Sequence, residues 1–133
     1  MTPKFYFTLF NYLFLAMFIF SVIVQYNDPD PLTWMTIYGL AAVACVIAIK
    51  RPTHWPLPSA LLVVSLMWAS RIMPRVAGRV SFGELFSAWE MKDARVEEAR
   101  EMGGLLIVAA WMLVLFCRGC YLRLTRRPPK QQN

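Results

Sequence analysis

From Phe5 to Tyr26 the chain carries no charged side chain. A helix crossing the bilayer core needs about 20 predominantly apolar residues. A soluble helix would instead show a polar face every turn, and this stretch shows none. Three further apolar runs follow: Leu32 to Ile49, Trp55 to Met73 with Arg71 only near its end, and Gly103 to Leu122 with Arg118 in its last turns. Long basic side chains near a helix end can snorkel to the interface. The predicted fold is an all-α membrane protein with four transmembrane helices in a single domain over residues 1–133. The spans are expected at about 5–26, 32–49, 55–73 and 103–122, with an amphipathic helix at about 81–102 in the loop between helices 3 and 4. A basic tail follows at 123–133. Composition agrees, with 58% hydrophobic and 17% charged residues, against roughly half and a quarter in soluble domains. The first run is too long for a signal peptide and lacks a small-x-small cleavage pattern, so it is expected to be a retained anchor.

The net charge of +6 is unevenly placed. With four spans, the N-terminus, the Lys50–Pro56 loop and the tail lie on one side. That side holds Lys4, Lys50, Arg51, Arg118, Arg123, Arg126, Arg127 and Lys130 and no acid. The other side holds six basic residues and all eight acidic residues. The positive-inside rule then places both termini in the cytoplasm, as in a plasma or bacterial inner membrane protein. The tail is expected to meet lipid headgroups. No nucleic-acid motif accompanies it.

Chemistry concentrates in two places on the acidic side. The first is the turn Asn27-Asp28-Pro29-Asp30-Pro31. Asn27 reads as a left-handed C-terminal cap of span one. Asp30 reads as an N-cap of span two, with Pro31 at its first helical position. Capping leaves Asp28 without a role. The second reading is a stiff pair of carboxylates, preformed to hold a cation or ligand. Carboxylate and amide oxygens suit hard cations, for which Asp28, Asp30, Glu97 and Glu101 are the candidates.

The second place is the loop helix. Ser81 reads as its N-cap, with Glu84 completing a capping box. Glu90, Asp93, Glu97 and Glu101 share one face, with Phe82, Leu85, Trp89 and Val96 roughly opposite. Such a helix lies on the interface or packs over the bundle. The acidic stripe is neutralised either by Arg71, Arg75 and Arg79 folding back, by solvent and salt, or by a cation shared with Asp28 and Asp30.

Within the spans, Asn11 lies deep in the first and is expected to bond another helix. Ala41 with Cys45, and Ala44 with Ala48, are small residues four apart that permit close packing. Gln25, Tyr26, Trp34 and Tyr38 cluster at the interface, where aromatic residues are enriched. Cys117 and Cys120 have redox-motif spacing, but they sit at a helix C-terminus, where the dipole does not activate a thiol. They read as structural or as lipidation sites. No hydrolase, kinase or dinucleotide signature appears, and no cofactor is predicted.

Three segments together carry a resemblance: Val24 to Asp30 with Trp34 and Tyr38; Glu97 to Leu105, with Glu98, Arg100, Glu101, Gly104 and Leu105 in a Glu-x-Arg-Glu-x-x-Gly-Leu pattern; and Ala110-Trp111. With Asn11 they resemble the transmembrane protein 220 family, roughly from Asn11 to Trp111. The resemblance implies a small multi-span membrane protein and no catalytic residue.

The expected site is therefore a polar face of Tyr26, Asn27, Asp28, Asp30, Trp34, Tyr38, Glu97, Glu98, Arg100 and Glu101. It would take a cation, a lipid headgroup or a partner. Membrane lipids are the expected surroundings, and a membrane-protein partner or self-association is a further expectation. Two rivals stand beside it: an accessory subunit with no ligand, and an enzyme using a carboxylate as base on a lipid-phase substrate.

Overall fold

A computed structural model describes residues 1–79, 81, 83 and 94–126. Four helices in it are long and apolar enough to cross a membrane. They are α1 (Pro3–Val24), α2 (Pro31–Lys50), α3 (Pro56–Val76) and α4 (Ala94–Thr125). The first three begin with a proline at their first helical positions, where its missing N–H costs nothing and its fixed φ suits the helix. α3 runs on through Pro74 to Val76, past its expected end at Met73.

The C-terminal helix differs from expectation. Ala94–Thr125 is continuous, so residues 94–102 extend the fourth span and do not close a separate loop helix. Gly103 and Gly104 cost helix propensity of about 1 kcal/mol each. They do not break the backbone ladder. Residues 82 and 84–93, with Phe82, Glu84, Leu85, Trp89, Glu90 and Asp93, lie outside the described residues.

α1 packs along α2, and α3 along α4, with lighter contact between the pairs. α1 turns one stripe inward: Phe7, Asn11, Phe14 and Phe18, spaced at three or four residues. The Trp111 indole of α4 stacks on Phe14, with centroids 4.2 Å apart, and on Phe7 at 6.0 Å. Between them Asn11 is fully buried. Its amide nitrogen donates to the Cys45 carbonyl at 3.0 Å, and its oxygen accepts from the Trp111 indole N–H at 3.3 Å. One amide thus joins α1, α2 and α4. Without water in the hydrocarbon, that bonding is what lets an Asn sit there. Ala41, Ala44 and Cys45 are buried beside it on α2. Much of the rest of α1 is exposed and apolar, including Leu13, Phe20 and Ile23, as a lipid-facing surface should be.

The described acidic residues all lie at one end of the helices. At the end bearing both termini, Arg118 lies 3.7 Å over the Phe7 ring, and the His54 imidazole accepts the Leu57 N–H at 3.4 Å at the start of α3. Gly119 passes so close to this loop that an added Cβ would sit 2.8 Å from the His54 carbonyl. At the opposite end lie the Asp28 turn and the start of α4.

Candidate functional site

The turn between α1 and α2 is built otherwise than its residues suggest. The helix tightens into one 3-10 turn, Gln25–Asn27, and the Asp28 N–H donates to the Gln25 carbonyl at 3.1 Å. That bond satisfies the chain end without a left-handed residue, so Asn27 is no left-handed cap. Among the described residues only Gly78 has positive φ. Asp30 does occupy the N-cap position of α2, yet its side chain makes no capping bond. The working carboxylate is Asp28, whose Oδ1 accepts the Asp30 N–H at 3.0 Å. Asp28 is extended (φ −79, ψ 151), as the following Pro29 requires. The turn thereby fixes the Asp28 carboxylate facing the bundle while Asp30 stays exposed.

Asp28 does not face open water. It lines a cavity of about 230 Å³ with Gln25, Trp34, Tyr38, Glu97, Arg100 and Glu101. Two stretches far apart in sequence meet here, the turn with the start of α2 and the first turns of α4. Of the residues expected in the site, Tyr26, Asn27, Asp30 and Glu98 do not line the cavity. Tyr26, Asn27 and Asp30 are exposed. Gln25 does line it, though the sequence marks it only as one of an interfacial cluster.

Each wall has a reason for its place. Trp34 is 2% exposed and stacks on Trp68 of α3 at 5.4 Å. It offers its indole N–H toward the Glu101 carboxylate. Tyr38, one turn along α2, packs beside Trp34 and Phe18. Its hydroxyl occupies the space where a side chain on Gly104 would project. Gly104 is therefore the residue that lets α4 pass Tyr38. Glu101 lies within electrostatic reach of Asp28, Glu97 and Glu98, and Tyr38 within reach of Asp28 and Glu101. Three carboxylates against one guanidinium leave the cavity net acidic.

Of the arginines expected to fold back on the acidic stripe, Arg75 reaches α4, but its partner is Glu98, which lies off that stripe. The two pair at 2.7 Å, outside the cavity. With the Arg75 side chain 62% exposed, the pair contributes at most about 1 kcal/mol. No three His, Cys, Asp or Glu residues among those described are placed to hold one metal ion. The cavity is smaller than the roughly 300–1,000 Å³ of drug-sized pockets. It has room for a group the size of a lipid headgroup.

A family model described as transmembrane family 220, helix, matches residues 17–117. This chain belongs to transmembrane family 220. The matched region contains α2, α3 and every residue that lines the cavity. A curated relative, Transmembrane protein 220 of Xenopus laevis, is 29% identical over 117 residues, covering 81% of this chain and 56% of the relative. The chain thus spans little more than half the length of that relative. No solved structure matches it. Family membership and four apolar helices make this a multi-pass integral membrane protein.

Proposed function

We propose that this protein is a non-enzymatic membrane protein that receives an organic ammonium group in the cavity between the Asp28 turn and the Glu97–Glu101 segment. The observation that carries the reading is the convergence of Asp28, Glu97 and Glu101 on one small cavity walled by Trp34 and Tyr38. Excess carboxylate attracts a cation, and a primary ammonium can donate to several carboxylates at once through its three N–H groups. Calcium takes about six to eight oxygen ligands converging on a point. Acids spread around a wall suit the three diverging N–H donors of a primary ammonium better. The ammonium is the chemistry that an ethanolamine headgroup and a free amine have in common.

The test uses protein purified in mild detergent, with unfolding temperature followed as ethanolamine, calcium or magnesium is added at matched ionic strength. Ethanolamine should raise the unfolding temperature, and Asp28→Asn should remove most of the rise. Phosphatidylethanolamine added in mixed micelles separates the lipid from the free amine. A response to a divalent cation alone would replace the ammonium reading with a metal. No response to any probe would remove the binding role.

We further propose that both termini lie in the cytoplasm, which puts the acidic cavity on the far face. The basic residues at the terminal end support this. A C-terminal tag should be inaccessible to a membrane-impermeant reagent in intact cells. Labelling without permeabilisation would reverse the topology.

A further inference from the structure

α2 and α3 each pack mainly on another partner, and a groove of about 540 Å³ opens between them. Its walls include Leu32, Ile37 and Leu40 of α2 and Leu57, Leu61 and Val64 of α3. Thr36 also lines it, but its hydroxyl is spent on the Leu32 carbonyl at 2.6 Å. Val64 and Trp68 are common to this groove and to a second depression that continues along α3 to Arg71 and Arg75. From Leu57 to Arg71 is about four helical turns, or about 21 Å. That exceeds half the ~30 Å hydrocarbon thickness, so the slot has the reach of one leaflet's acyl chain.

The charge at its end chooses the occupant. Arg75 is paired with Glu98, whereas Arg71 is exposed and has no carboxylate partner among the described residues. A guanidinium prefers bidentate contact with a carboxylate or phosphate. At the mouth of an apolar slot within a membrane, the complementary molecule is an anionic amphiphile. We infer that the groove between α2 and α3 holds one acyl chain of an anionic phospholipid whose phosphate is bound by Arg71. The stacked Trp34–Trp68 pair stands between this groove and the acidic cavity, since Trp34 lines the cavity and Trp68 the groove. The lipid site is separate from the proposed ammonium site and does not depend on it.

Native mass spectrometry of the full chain in mild detergent, with phosphatidylglycerol added, tests the inference. One lipid should remain on each chain, in preference to phosphatidylcholine. Arg71→Gln should weaken retention about five-fold, the effect of one basic residue at a membrane surface. Ala60→Phe, which fills the groove from the α3 wall and leaves Arg71 intact, should weaken it at least as much. Glycerol phosphate, which has the phosphate and no chain, should not displace the lipid. Equal retention by both variants would overturn the assignment, as would displacement by glycerol phosphate. A lipid-free dimer that Ala60→Phe dissociates would give the groove to a second copy of the chain and overturn it as well. Arg71 is exposed, so its variant reports even if the Ala60 variant fails to fold.

Discussion

Trp111→Ala should destabilise the bundle by on the order of 3–5 kcal/mol, the cost of truncating a packed tryptophan. The indole is 7% exposed and lies against Phe7 and Phe14. Between lipid-embedded helices the hydrophobic effect contributes little, and association depends on close packing and interhelical hydrogen bonds. Trp111 supplies both to α1. Its removal opens a void between α1 and α4 and takes away the donor that satisfies the Asn11 oxygen. Trp111→Phe separates the two contributions. It keeps a stacking ring and removes only the N–H, and should cost about 1 kcal/mol. Both values can be read from unfolding of the detergent-solubilised protein with increasing SDS fraction. An alanine variant as stable as the parent would mean that α1 does not pack on this residue.

Gly104→Ala should cost roughly 1–3 kcal/mol, the range for overpacking, and Tyr38→Phe should recover most of it. The new methyl would overlap the Tyr38 hydroxyl. Either the ring withdraws toward Phe18 and Trp34, or α4 moves away from α2. The conflict is with one oxygen atom, so removing that oxygen relieves it. The double variant should therefore be more stable than Gly104→Ala alone. Such coupling is measured by a double-mutant cycle in the same SDS titration. Additive effects would show that Tyr38 and Gly104 do not touch. Gly103, whose added Cβ would meet open space, is the internal control and should lose nothing on substitution by alanine.

The four spans were legible because hydrophobic length is a strong signal, and lipid leaves a chain few alternatives to a helix. Asn11 was legible for the same reason, since an amide in hydrocarbon must find a partner. The Asp28 turn was not. Capping preferences describe one helix end in isolation, whereas here two prolines and a 3-10 turn decide which carboxylate bonds the backbone. They gave that task to Asp28, not Asp30. Continuity through Gly103 and Gly104 was also missed, because propensity marks two glycines as a boundary. It is blind to a neighbouring tyrosine that needs the space. The cavity was legible only as two acidic segments on one side of the membrane. Which of them face each other depends on the rotation of α4 against α2. That rotation places Glu97, Arg100 and Glu101 toward Asp28 and leaves Glu98 to Arg75.

Asp28 and Glu101 lie far apart in the chain and line one cavity. The direct measurement of whether they act as one site is the ethanolamine-induced rise in unfolding temperature for the parent, Asp28→Asn, Glu101→Gln and the double variant. A common cavity predicts that either substitution removes most of the rise and that combining them removes little more. Independent, additive losses, or a full response from both single variants, would contradict it.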